Sequence, residues 1–251
     1  MESERPAAQA LRPRMAGTEV AGEAVLFDPS GALWLPDHAT LVVSDLHLEK
    51  GSSYAVRGVY LPPYDSRVTL ERLTRTCAGL APKRIIALGD SFHDRGAPAR
   101  LEQTDVATIR TLTASAEWIW IAGNHDPAPP RAFGGAVAQT VTIGGLTFRH
   151  EPCEDEPALG EVAGHLHPVA SIRVRGRRVR RRCFVSDGTR LVLPAFGAYA
   201  GGLCVLNEAY APLFPDGLFQ AFVLGKERIY PLSAGTLVPD QVPAGPTHWR
   251  L

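Results

Sequence analysis

The chain has 251 residues, 45% of them apolar, which is enough for one large core. Lys+Arg and Asp+Glu number 26 each, so bulk charge neither points to a polyanionic partner nor excludes one. Four scattered cysteines (Cys77, Cys153, Cys183, Cys204) with no CxxC pair argue against a disulfide or thiolate-metal framework and predict reduced thiols. No apolar run approaches the roughly 18 residues of a membrane span. The first 18 residues lack the apolar segment of a secretory signal, so residues 1–18 are expected to be a disordered extension. Residues 19–251 are expected to be a single cytoplasmic domain with no membrane partner.

Leu41–Ser44 is a short β-type run ending at Asp45. From Asp65 to Leu80 the apolar residues Val68, Leu70, Leu73, Ala78 and Leu80 have helical spacing, and Pro82 marks the end. Ile85–Leu88 reads as a buried strand, Leu101–Thr113 as a helix, and Trp118–Ile121 as the next strand. Strand and helix alternate, which predicts an α/β fold with a mostly parallel sheet covered by helices. Beyond residue 136 the pattern becomes β-rich. Val137–Ile143 and Leu146–His150 flank Gly144-Gly145, a hairpin signal, and Ile172–Val174 and Val179–Val185 surround Gly176. Leu191–Leu193, Leu203–Leu206 and Ala221–Leu224 add short β runs, and Asp155–Gly160 reads as a surface loop. With no long linker, this half is expected to form a second layer on the first sheet.

Six of the eight histidines lie in or beside one series of motifs; His38 and His248 lie outside it. The series is Asp45-Leu46-His47, Gly89-Asp90 with His93 beyond it, Gly123-Asn124-His125-Asp126, His150, and Gly164-His165-Leu166-His167. Each block follows an apolar stretch. In α/β sheets, sites form outside the carboxyl ends of the strands, so five strand ends can deliver these residues to one locus. Carboxylate, imidazole and amide donors without cysteine suit Mn, Fe or Zn. The donors exceed what one ion needs, so two divalent ions are expected. Asp45, His47 and His167 are assigned to one, Asn124, His150 and His165 to the other, and Asp90 to the bridge. Ions roughly 3.5–4 Å apart can share a water, lower its pKa and clamp a phosphate for in-line displacement. His125 is the candidate acid for the leaving oxygen, with Asp126 to orient its ring and His93 close to the same centre.

The series resembles the calcineurin-like metallophosphoesterase superfamily, whose blocks run DxH, GD, GNH(D/E), H and GHxH; all are present, in order, across residues 45–167. That resemblance implies a two-sheet β-sandwich flanked by helices. Ser44–Ser53, Leu61–Asp65, Gly89–Asp94 and Leu193–Gly197 are similar to the bacterial DNA-ligase-associated metallophosphoesterases. That closer resemblance implies manganese-dependent phosphodiester cleavage, including endonuclease action on DNA in repair. It also implies functional association with a DNA ligase, a helicase and an exonuclease-like protein. Phe92-His93 resembles the double-strand-break repair nucleases of the superfamily.

Lys50 and Arg57 are candidates for a flanking phosphate, and Tyr54 and Tyr64 for base stacking, with solvated charge and packing as the plainer readings. Seven arginines fall between Arg173 and Arg182, beginning six residues past His167. Arg173 and Arg175 are expected near the metal centre, where they would track single-stranded or structured DNA; an edge strand kept soluble by charge is the alternative. No GxSxG elbow, Walker A loop or GxGxxG fingerprint occurs. A small-molecule or nucleotide phosphodiesterase of the same superfamily remains as an alternative. A non-catalytic protein-binding scaffold is disfavoured because every motif is complete.

Overall fold

The computed structural model describes residues 15–128, 131–154 and 159–240. Most of the extension expected over residues 1–18 lies outside them, although Ala16, Gly17 and Thr18 belong to the first strand; Leu159 and Gly160 are the described part of the loop expected over residues 155–160. In chain order the elements are β1 (Ala16–Val20), β2 (Glu23–Phe27), β3 (Leu33–Leu35), β4 (Thr40–Val43), α1 (Lys50–Val56), α2 (Asp65–Leu80), β5 (Arg84–Leu88), α3 (Ala97–Arg100), α4 (Gln103–Ser115) and β6 (Glu117–Ile121). There follow β7 (Ala136–Ala138), β8 (Thr140–Ile143), β9 (Leu146–Arg149), β10 (Glu161–Ala163), β11 (Pro168–Val174), β12 (Arg177–Ser186), β13 (Arg190–Val192), β14 (Leu203–Cys204), β15 (Gln220–Leu224) and β16 (Ile229–Ser233).

Among the described residues the strands form two sheets. The first has the order β1-β2-β3-β4-β5-β6-β7. It is antiparallel up to β4 and parallel from β4 to β7. The second runs β14-β11-β12-β13-β10-β9-β8, with β15 and β16 continuing from β12. The two sheets with flanking helices have the architecture that the motif resemblance implied.

The strand pleat sorts side chains between two layers. In β5, Ile86 and Leu88 enter the core between the sheets, and Ile85 and Ala87 face the helices. In β6, Ile119 and Ile121 point inward, and Trp118 and Trp120 point to the helical side. Strands buried on both faces therefore read as continuous apolar runs. From the second sheet, Phe148, Val162, Phe184, Leu191 and Phe222 close the inter-sheet core, where Phe184 stacks on Phe27 with centroids 4.5 Å apart.

Helix α2 has the expected bounds but a different buried face. Val68 is exposed, whereas Ser66, Thr69, Leu70 and Leu73 are buried at the spacing of one helical stripe. Its polar members bind loops: Asp65 Oδ2 accepts from the Gly51 amide (3.0 Å), and Thr69 Oγ1 from the Ala198 amide (3.0 Å). The helix expected over Leu101–Thr113 is one unbroken helix that starts two residues later and runs to Ser115, because Leu101 and Glu102 are extended between α3 and α4. Gly144-Gly145 turns the β8–β9 hairpin with Ile143 opposite Leu146, as expected. No helix among the described residues is long and apolar enough to cross a membrane. None of the four cysteines forms a disulfide.

Phe184→Ala removes a fully buried ring from between the sheets. It is expected to lower unfolding stability by about 3–5 kcal/mol, measurable as a shifted denaturant midpoint.

Candidate metal centre

Five strand ends build the centre. Asp45 follows β4, Asp90 follows β5, Asn124 follows β6, His150 follows β9 and His165 follows β10, while His167 immediately precedes β11. Backbone bonds extend the parallel pairing into the loops: Asp45 N donates to Gly89 O (3.2 Å), His47 N to Asp90 O (2.9 Å) and Leu48 N to Ser91 O (2.9 Å). In the other sheet, Gly164 N donates to His150 O (2.9 Å). Donors from both sheets thus meet at one edge of the sandwich.

Two groups of ligand atoms result. Asp45, His47 and His167 form one, with their ligand atoms within 4.8 Å of one another. The Nε2 atoms of His47 and His167 are 3.2 Å apart, and His167 Nε2 lies 3.2 Å from Asp45 Oδ1. That oxygen is fully buried and, despite the ion-pair distance, is not oriented for a hydrogen bond. The second group is Asp90, His150 and His165, joined by Asn124. His150 Nδ1 lies 3.1 Å from Leu88 O and must donate to it, which aims the Nε2 lone pair inward. Around that Nε2 stand Asn124 Oδ1 (2.9 Å), His165 Nδ1 (3.3 Å) and Asp90 Oδ2 (3.4 Å). A proton on the His150 ring answers part of this crowding, and a divalent cation at the focus would answer all of it; the donor set suits one.

The electrostatics agree. Burial opposes the charge of Asp90, but the His150 hydrogen bond and charge outweigh it and hold the carboxyl at about 2. Burial likewise opposes the Asp45 charge, yet His167 and its neighbours hold that carboxyl below its ordinary value. Burial pushes His47 down to about 3 despite Asp45, leaving a neutral ligand. At His150 burial favours the neutral ring, but the hydrogen bond to Asp90 and the charges of Asp45 and Asp90 raise it to about 9. The field at that point favours positive charge.

His125 stands beside both groups. Its amide donates to Asp90 Oδ1 (2.9 Å), and its Nδ1 lies 2.8 Å from the His93 carbonyl. The carbonyl can only accept, so Nδ1 carries a proton and Nε2 faces the centre, 3.9 Å from Asp90 Oδ2. The His93 carbonyl therefore orients the ring, the task the sequence reading gave to Asp126. Asp126 Oδ2 instead accepts from the amides of Ser91 (3.0 Å) and Phe92 (3.2 Å), fixing the loop behind Asp90. Burial raises the Asp126 carboxyl to about 7, against those two bonds. The His93 ring stacks on His125 (5.2 Å between centroids) and forms a third group with His47 and His125 that spacing alone did not reveal. Burial, then the Lys50 charge, lowers His93 to about 4.

Ser44 was missed as a site residue, although it directly precedes Asp45. Its hydroxyl donates to Asp45 Oδ2 at 2.5 Å and so orients that carboxylate. Glu49 and Ser66 lock the loop after His47, with Ser66 Oγ donating to Glu49 Oε1 (2.8 Å). Gly164 is required by close approach: a Cβ there would stand 1.9 Å from Ser44 Oγ and 2.7 Å from Asp45 Oδ2. Lys50 is half-buried at the start of α1 and its charge reaches His47 and His93, whereas Arg57 is exposed and its charge reaches His93. Arg173 and Arg175 are not at the centre. Arg173 lies six residues along extended chain from His167, a path of about 20 Å, and Arg175 is in the turn beyond it.

A two-sheet α/β fold carrying two candidate metal-binding clusters and an adjacent histidine defines a metal-dependent phosphoesterase. A family model for calcineurin-like phosphoesterases matches residues 38–186, and the chain belongs to that family. Among solved structures it is similar to Pseudomonas putida nuclease MPE, with 30% identity and a TM-score of 0.65 over 87% of this chain and 100% of that one. It also matches Yfce, a phosphoesterase from E. coli, with 16% identity and a TM-score of 0.42 over 78% of this chain and 98% of that one. No curated protein matches.

Divalent ions at the two clusters would supply Lewis-acid activation of a phosphoryl group and a water of lowered pKa. The chain's own part would be to hold them with Asp45, His47 and His167 on one side and Asp90, Asn124, His150 and His165 on the other. His125, with Nδ1 committed to the His93 carbonyl, would present Nε2 to a leaving oxygen. Asp90→Ala is expected to lose most bound metal by elemental analysis, whereas His125→Ala keeps it and loses about 10²–10⁴-fold in kcat. Full activity in either variant overturns these roles. Gly164→Ala is expected to retain a folded circular-dichroism spectrum but less than half the wild-type metal, because the added methyl displaces Ser44 and Asp45 together.

Proposed function

We propose that this chain is a two-metal endonuclease that hydrolyses DNA phosphodiester bonds in a repair setting, with manganese as its working metal. The observation carrying this reading is the similarity, at 30% identity over 87% of this chain, to a protein that is itself a nuclease. The complete set of ligand residues supports the chemistry. The runs Ser44–Ser53, Gly89–Asp94 and Leu193–Gly197 support the narrower placement among the DNA-ligase-associated enzymes. The proposal extends to a cytoplasmic location and to functional association with a DNA ligase, a helicase and an exonuclease-like protein. In this reading Asp90 would be shared between the two sites, and His125, protonated at Nε2 as well as Nδ1, would give the Nε2 proton to the departing oxygen. Lys50 and Arg57, beside His93, bind the phosphates that flank the cut.

Metal-stripped protein reconstituted with manganese is expected to convert circular single-stranded DNA to linear and then shorter products, while Asp90→Ala leaves the circle intact. A circle offers no end, so conversion establishes endonuclease action. An intact circle, together with hydrolysis of a small diester, assigns the centre to nucleotide-sized substrates instead.

A further inference from the structure

The arginine-rich hairpin is more ordered than its sequence indicates. Strands β11 and β12 turn through Arg175 and Gly176, both in the left-handed region. In the antiparallel register Arg173 is opposite Arg178, Ser171 opposite Arg180 and Val169 opposite Arg182. Opposed residues share a face and alternate ones face away. Arg173, Arg178 and Arg180 therefore form an exposed row on one face beside the buried Ser171, and Arg177 and Arg181 lie on the other. Like charges placed directly opposite repel, so this face needs anions.

One carboxylate answers that need. Asp240 accepts from Arg178 Nη2 (2.6 Å), Arg180 Nε (2.9 Å) and Ser171 Oγ (2.9 Å). Two guanidinium donors and a hydroxyl converging on one anion make the kind of cluster that also holds a phosphate. The ion pairs are part-exposed on both sides and so exchange readily. Arg173 has no ion-pair partner among the described residues. The row is anchored to the metal loops. Arg180 Nη2 donates to Gly202 O (2.6 Å), and Leu203 N donates to the carbonyl of the ligand His167 (3.1 Å). Arg182, farther along the same face and part-buried, donates to Ala195 O (2.7 Å), and Ala195 is bridged to Ser44.

We propose that this face of the hairpin is a subsite for the phosphate backbone of a polynucleotide substrate, and that Asp240 fills it as an internal stand-in until the strand displaces it. The inference rests on the nuclease reading above. Same-face residues repeat at about 6.6 Å along a strand, so the row presents successive cations along a line. Ser171 and Arg173 lie four and six residues from His167, roughly 13 and 20 Å of extended chain. The subsite therefore engages nucleotides beyond the one being cut, and a small diester never reaches it. The competing account is that Asp240 only pins the segment after Leu237, where Val238 N donates to Ser171 O (2.8 Å).

The test measures steady-state kinetics of the manganese-loaded full chain on a single-stranded 20-mer and on bis(p-nitrophenyl) phosphate. The variants are Arg178→Gln/Arg180→Gln and Asp240→Asn. In the double variant, kcat/KM for the 20-mer is expected to fall about tenfold relative to kcat/KM for the small diester. Its KM should also lose about 1.4 from the slope against log salt, at about 0.7 per phosphate contact on a single strand. Asp240→Asn is expected to act in the opposite direction, lowering KM for the 20-mer several-fold, a gain that a damaged fold does not produce. An unchanged or raised KM in Asp240→Asn overturns the stand-in, and an unchanged salt slope in the double variant overturns the subsite. Wild-type protein that cleaves the diester but never the 20-mer overturns the nuclease reading and the subsite with it. Wild type that cleaves both, with neither variant altered, overturns the subsite alone.

Discussion

The structure depends on the crowding of electron-pair donors at one edge of the sandwich. His150 Nε2 has an amide oxygen, a carboxylate oxygen and a second imidazole nitrogen within 3.4 Å, and His47 and His167 present facing nitrogens 3.2 Å apart. A buried acceptor left without a partner costs about 1–3 kcal/mol, and a buried charge more. Positive charge at this edge, whether a proton on the His150 ring or a bound cation, relieves that crowding. The topology follows from the same requirement. Parallel strands β4, β5 and β6 end at the edge where β9 and β10 of the other sheet also end. A sandwich with the second sheet reversed would carry the same residues and have no centre.

Holding the donors there requires unusual backbone. Asp45, His47, Asp90, His165 and His167 all have positive φ, between 44° and 65°. Asp and His tolerate this region better than most residues, yet each such position still costs on the order of 1 kcal/mol or more. That strain persists because the surroundings over-determine it. The Asp45 loop is bonded to Gly89 and, through its carbonyl, to Gly197; the His47 amide is bonded to the Asp90 carbonyl. The geometry of these candidate ligands is thus set by the sheets, and they would need little reorganisation to hold an ion together.

Much of this was legible in the chain because the strongest signals are local. Apolar runs followed at once by Asp, Asn or His marked strand ends, and a sheet converts strand ends into proximity. The α2 boundaries came from helical spacing and Pro82. Spacing could not show that Val68 faces solvent while Thr69 is buried, because the partners of Thr69 and Asp65 lie at Ala198 and Gly51, remote in sequence. The roles of Asp126 and His93 were exchanged for a related reason. Adjacency made Asp126 the natural partner of the His125 ring, but the turn after β6 sends its carboxylate to the amides of Ser91 and Phe92. The carbonyl that holds the ring carries no signature in a sequence. Strands β1 to β3 were not marked because they are short, of three to five residues, although Ala21-Gly22 and Asp28-Pro29-Ser30-Gly31 between them are turn signals that could have found them.

The neutral bulk charge and the arginine cluster are compatible once position is considered. Catalysis by this family's donor set needs a rigid, buried locus, so its residues sit on loops braced by both sheets. Positive charge is found at the periphery instead: Lys50 on α1, Arg57 just past its end, and the guanidinium row on a hairpin that begins next to His167. Asp240 sits within that row, so a reading of net charge averages away a surface whose local sign is positive. The same separation explains why metal ligands are recognisable from short motifs whereas substrate contacts are not. Ligands answer to one ion's geometry, and surface arginines answer to the shape of whatever strand lies across them.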